Sequence, residues 1–133
     1  MFIQYVNKIP SKIEFFDMLR RKENYTVNIS ELDTELSQTI TAVCVYNGDN
    51  LVGMGRVKKE ENYLCIEDVL VSLDEYKEEI QNNIIIKLFS QINQIKQTNL
   101  EVRDCLELNK PVTNFYERYN FLVSEPKTLT LSM

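Results

Sequence analysis

Histidine and tryptophan are absent from this chain of 133 residues, and glycine, proline and cysteine occur three times each. The missing histidines exclude His-based nucleophile triads, His metal sites and imidazole acid–base pairs together. Any chemistry falls to carboxylates, tyrosine, serine, threonine, cysteine or lysine, and no metal site is expected. Cys44, Cys65 and Cys105 are odd in number, far apart and without a C-x-x-C spacing. Each lies in a strand-like run, which suits buried free thiols in a reducing compartment. The net charge is −5 and no Lys/Arg cluster interrupts it, so neither nucleic acid nor an anionic membrane is an expected partner. No apolar run approaches the ~18 residues of a membrane span. The start, Met1-Phe2-Ile3-Gln4-Tyr5, lacks the basic region and apolar core of a signal peptide. These absences point to the cytoplasm.

The length suits a single domain over residues 1–133. Its hydrophobic share, 44%, is ordinary for a globular chain able to build a core without staples. Residues 2–7 read as a strand. Ser11 with Glu14 three residues on forms a capping box, opening a helix whose apolar positions are Ile13, Phe15, Phe16, Met18 and Leu19. Ser30 and Asp33 suggest a short second helix, and residues 23–27 between the two read as a loop. Residues 39–46 and 51–58 are strands joined around Asn47-Gly48, a turn that tolerates positive φ. Residues 62–72 continue the meander. The strongest helix covers 81–95, with Ile85, Leu88, Phe89, Ile92 and Ile95 on one face. A strand follows at 100–106, then a short helix from Asn109-Lys110-Pro111 carrying Phe115, Tyr116 and Tyr119, then strand pieces at 121–123 and 128–131. This order predicts an α/β fold, one mixed sheet with helices on both faces, with a parallel crossover between residues 62 and 106. The last strand is a candidate sheet edge, where a second copy could pair to give a homodimer.

Three segments resemble the GNAT N-acetyltransferase superfamily, in particular its small bacterial members. Residues 50–57 (NLVGMGRV) are similar to a strand common in that group. Residues 66–71 (IEDVLV) resemble its central strand, and residues 115–121 (FYERYNF) resemble its aromatic signature. The elements occur in family order over nearly the whole chain. The resemblance implies the GNAT fold, acetyl-CoA as co-substrate, and direct acetyl transfer to a small amine or a peptide amine. It implies that Val69, Leu70 and Val71 offer backbone groups to the pantetheine arm and thioester, where the central strand splays from its neighbour. It places the cofactor's diphosphate against a loop at the start of the long helix, here residues 77–82, with Lys77, Asn82 and Asn83 as candidate contacts. A helix N-terminus suits an anion, because its orphan N–H groups and dipole point at it.

That loop holds none of the chain's three glycines, which all lie between positions 48 and 55. The family's two glycine positions fall on Ile80 and Asn82. Asparagine visits left-handed conformations, whereas a β-branched isoleucine resists them. Glu78 and Glu79 add like charge, each costing on the order of 2–3 kcal/mol against a phosphate about 6 Å away at an effective dielectric of about 20. Tyr116 matches the family tyrosine that protonates the departing thiolate; its spacing alone is that of a core aromatic. Glu67 and Asp68, adjacent in a strand, should point to opposite faces, so only one faces the cleft. Glu67 is the candidate base for an incoming ammonium; a surface glutamate beside a buried, backbone-bonded aspartate is the structural alternative. Gly53 and Gly55 lie inside a strand and are expected to serve close packing or a bulge. Cys65 and Cys105 are nucleophile candidates only if catalysis is covalent. Two functional readings follow: an acetyl-CoA-dependent N-acetyltransferase, or a catalytically silent module of the same fold that has lost the diphosphate site.

Overall fold

The structure, a computed structural model, describes residues 2–21, 28–61, 63–95, 101–104, 123–125 and 128–130, with Ile95 and everything after it as backbone only. Strand β1 (Ile3–Asn7) leads to helix α1 (Lys12–Arg20). The capping box is formed as expected: Ser11 Oγ accepts from the Glu14 amide at 3.2 Å, and Glu14 Oε1 accepts from the Ser11 amide at 2.9 Å. Phe15, Met18 and Leu19 are buried, but Ile13, expected on the same face, is 78% exposed. Two residues are about 200° of helix, so Ile13 lies nearly opposite Phe15. Helix α2 (Ile29–Ser37) is capped by Asn28 rather than Ser30, the Asn28 side chain accepting from the Ser30 amide. The loop expected at 23–27 lies outside the described residues.

Strands β2 (Thr39–Asn47), β3 (Asn50–Lys59) and β4 (Tyr63–Val71) make the expected meander. Gly48, at φ +63°, takes the first of two turn positions between β2 and β3, where a side chain would be strained. Helix α3 (Lys77–Ile95) starts four residues earlier than its apolar periodicity suggests. Strand β5 (Glu101–Asp104) is parallel to β4, as the crossover requires. Two short strands, β6 (Val123–Glu125) and β7 (Thr128–Thr130), complete one sheet in the order β1-β2-β3-β4-β5-β7-β6. The last strand is therefore not the edge: β7 sits between β5 and β6, so the edge expected for self-pairing is corrected to β6. The helix expected from Asn109 lies outside the described residues.

Both faces of the sheet are covered, and neighbouring residues of one strand serve opposite cores. Val57 and Ile66 pack with Ile84, Ile85 and Leu88 of α3. Met54 packs with Phe15, Met18 and Leu19 of α1 and Leu32 of α2. No described helix is long and apolar enough to cross a membrane. Cys44 is buried and free, and desolvation pushes its thiol up to about 11. Cys65 is disulfide-bonded, which corrects the expectation of free thiols throughout.

Helix α3 rests directly on β3 at Gly55, where an added Cβ would lie 2.5 Å from Ile84 Cγ2 and 3.1 Å from Leu88 Cδ1. A methyl group there must push the helix away or distort two side chains. Gly55→Ala is expected to cost about 1–3 kcal/mol by urea denaturation. The double variant Gly55→Ala/Ile84→Ala should cost less than the sum of the two single changes, since the second removes the clash of the first.

Candidate functional site

Arginine occurs once in the apolar run of β3, and a charge in such a place must find partners on folding. Arg56 is 2% exposed and finds three carboxylates. Its Nε donates to Asp68 Oδ2 at 2.8 Å, and its NH2 group donates to Glu35 Oε1 at 2.5 Å and Glu67 Oε2 at 3.1 Å. NH1 donates to Thr39 Oγ1 at 3.1 Å and to the Glu35 carbonyl at 3.4 Å. The guanidinium also lies 5.3 Å from the Phe15 ring centroid. Lys58 pairs with the other oxygen of Glu35 at 3.1 Å and with Glu60 at 3.4 Å. The cluster thus joins α1, α2, β3 and β4 on one face of the sheet.

Strand alternation placed Glu67 and Asp68 on opposite faces, and the structure corrects this. Arg56 pairs with Glu67 and Met54 with Leu70, so Gly55 alone faces two residues, Asp68 and Val69. This is a β-bulge, and Asp68 takes it up at φ +53°, a left-handed conformation that aspartate tolerates better than most residues. The extra residue turns Asp68 to the Glu67 side, and both carboxylates meet Arg56. Beyond the bulge alternation resumes: Val69 and Val71 are buried against α3, and Leu70 packs toward α1 and α2.

Parallel pairing of β4 with β5 runs from Tyr63↔Glu101 to Ile66↔Asp104. Strand β4 continues to Val71. The side chains of Val69 and Val71 are buried and that of Leu70 is half-buried.

Electrostatics distinguish two of the carboxylates. Burial raises the pKa of Glu67 above the ordinary glutamate value; Asp68 and Glu35 add to the rise, while Arg56 and Lys58 oppose it. For Glu35, burial also acts upward, but hydrogen bonds and charge from Arg56 and Lys58 outweigh it and hold the pKa below the ordinary value.

The loop expected over residues 77–82 is instead the beginning of α3, and this is a second correction. The connection is residues 72–76, ending at Tyr76 with φ +59°, and the Ile80 amide donates to the Tyr76 carbonyl at 2.9 Å. Lys77 opens the helix and is exposed, and Glu78 and Glu79 fill its first turn. Carboxylates are stable in that position because they meet the positive end of the helix dipole. Ile80 is a core residue. Asn82 is 4% exposed, with no partner for its Oδ1 among the described residues. Asn83 donates to the Tyr5 hydroxyl at 3.1 Å, so its side chain points toward β1, three strands away from β4. The first turn of α3 is therefore acidic and holds no glycine. Tyr116 lies outside the described residues. Sequence reasoning missed Arg56 and Glu35; the available signal was a lone arginine inside an apolar strand.

Comparisons with known proteins place the fold. No family model and no curated protein matches the sequence. Among solved structures, the chain is similar to a probable acetyltransferase from meticillin-resistant Staphylococcus aureus at 20% identity, TM-score 0.71, covering 94% of this chain and 93% of that one. It is also similar to the ribosomal-protein-S18-alanine N-acetyltransferase of Escherichia coli, at 8% identity, TM-score 0.69, and 98% and 96% coverage. A third likeness is to the PaiA N-acetyltransferase of Thermoplasma acidophilum in complex with coenzyme A, at 11% identity, TM-score 0.64, and 98% coverage of both chains. At these identities the likeness establishes the fold.

Arg56→Met leaves three carboxylates without their shared cation and should cost about 3 kcal/mol, the low end for a broken buried pair because the acids keep some water. Glu35 binds its proton less tightly folded than unfolded. Its contribution is therefore present above the ordinary glutamate range and is lost as pH falls through the lowered value. Urea titrations at stepped pH should show this acid loss in the natural protein and a shallower one in Arg56→Met.

Proposed function

We propose, on the premise that the chain has the fold of the GNAT acetyltransferases, that it transfers an acetyl group from acetyl-CoA to an amine. The observation that carries this reading is Glu67 on β4, held by the buried Arg56 at 3.1 Å yet 27% exposed, a carboxylate that burial makes a better base. The backbone of residues 69–71 holds the pantetheine arm, and the acetyl thioester supplies the electrophile. Glu67 takes a proton from the incoming ammonium. The freed amine attacks the thioester carbonyl, so an N–C bond forms and a C–S bond breaks. The departing thiolate takes a proton from Tyr116 and the second proton on the acetylated nitrogen passes to the tyrosinate; the phenol, with an ordinary pKa of about 10, suits a thiolate near about 8.5. The acceptor is a small amine or a peptide amine.

A second reading rests on the first turn of α3. Glu78 and Glu79 stand where the diphosphate is held in the resemblance, and no glycine lets the main chain approach. On this reading the cleft belongs to a silent binding module.

Acetyl-CoA at a hundredfold excess over its Kd adds about 2.7 kcal/mol of stability, seen as a rise of a few degrees in Tm. Thiol release with a panel of amines checks turnover, and Glu67→Gln should lower kcat by roughly a hundredfold or more. Absence of both the thermal shift and thiol release would select the silent module.

A further inference from the structure

The Arg56 guanidinium has more carboxylate around it than its charge needs. Asp68 and Glu35 make the two shorter contacts, at 2.8 and 2.5 Å, and Glu67 makes the longest, at 3.1 Å, sharing NH2 with Glu35. We infer that Arg56 and Glu35 are positioning residues for Glu67: Asp68 and Glu35 anchor the buried cation, so that Glu67 can gain and lose a proton without stranding it. The inference rests on the proposed role of Glu67 as the base.

Each of the other two carboxylates is committed elsewhere. Asp68 holds the guanidinium Nε and occupies the left-handed bulge position. Protonating it would weaken the contact that orders the bulge. Glu35 bridges Arg56 and Lys58 with its two oxygens, so protonating it would unpair two cations. Among the described residues Glu67 has one hydrogen bond to lose, that from Arg56, while NH2 keeps Glu35.

Charge counting agrees. Arg56 and Lys58 face Glu35, Glu67 and Asp68, with Glu60 adding negative charge beside Lys58. The cluster is therefore net negative, and one carboxylate can take a proton while both cations keep a counter-charge. In the proposed reaction an N–H bond of the ammonium breaks, its electron pair stays on nitrogen, and an O–H bond forms at Glu67. The side chain is 27% exposed, so water can carry the proton off afterwards. The opposite directions of the Glu67 and Glu35 pKa shifts accord with this division of labour.

The test is an NMR pH titration of carboxyl-labelled glutamate in the intact protein, with the Glu67 signal assigned through Glu67→Gln. Glu35→Gln should lower the Glu67 midpoint, because Arg56 and Lys58 then turn to Glu67. Arg56→Gln should raise it, and Arg56→Lys, which keeps the charge, should raise it less. No movement in Glu35→Gln, or movement upward, overturns the inference. If Arg56→Gln does not fold, Glu35→Gln alone decides. The acid limb of kcat/KM against pH should move with the midpoint. A protein that acetylates none of the amine panel removes the proposed function but leaves the titration to decide the frame, so the two failures are distinguishable.

Discussion

A buried guanidinium in the middle of β3 governs this molecule. Arg56 is 2% exposed, and a cation so placed is tolerated only with close, hydrogen-bonded anions. Its three carboxylates come from α2 and β4, and its flat face meets Phe15 of α1. Compensation of one charge therefore dictates how two helices sit on the sheet and which way two adjacent residues of β4 point. The bulge at Asp68 is part of this arrangement, since a regular strand would send that carboxylate into the apolar layer under α3.

Three consecutive residues of β3 divide the structure between them. Met54 belongs to the α1–α2 core, Gly55 admits α3, and Arg56 gathers the charged cluster. Opposite them, β4 needs one extra residue to pass from the Arg56 pairing to the Met54 pairing. The raised Glu67 carboxyl and the bulge are neighbours on that stretch of β4. The start of α3 is different in kind: it begins with Lys77, Glu78 and Glu79, and its positive dipole end already faces side-chain carboxylates.

Legibility varied with the range of the interactions involved. The Ser11–Glu14 capping box and the Gly48 turn are local chemistry and were readable residue by residue. So was the buried stripe of α3, through Ile85, Leu88, Phe89 and Ile92. The start of α3 was not, because the apolar periodicity that marks the helix begins only after its first, acidic turn. With no glycine or proline to stop it, the segment from Lys77 simply joins the helix. Ile13 was assigned to the core of α1 from spacing with Phe16, yet the stripe is centred on Phe15, Met18 and Leu19 and leaves Ile13 in water.

Alone, the amino-acid sequence determined the order of helices and strands, the sheet with helices on both faces, and the exclusion of imidazole chemistry. Those features follow from side-chain periodicity, caps and composition, all of which act within a few residues. Only the tertiary structure decided that Glu67 and Asp68 share a face and that Glu35 joins them from a helix 21 residues before Arg56. These depend on the register between strands and on where a buried charge finds its counter-ions, and neither is encoded within any single segment.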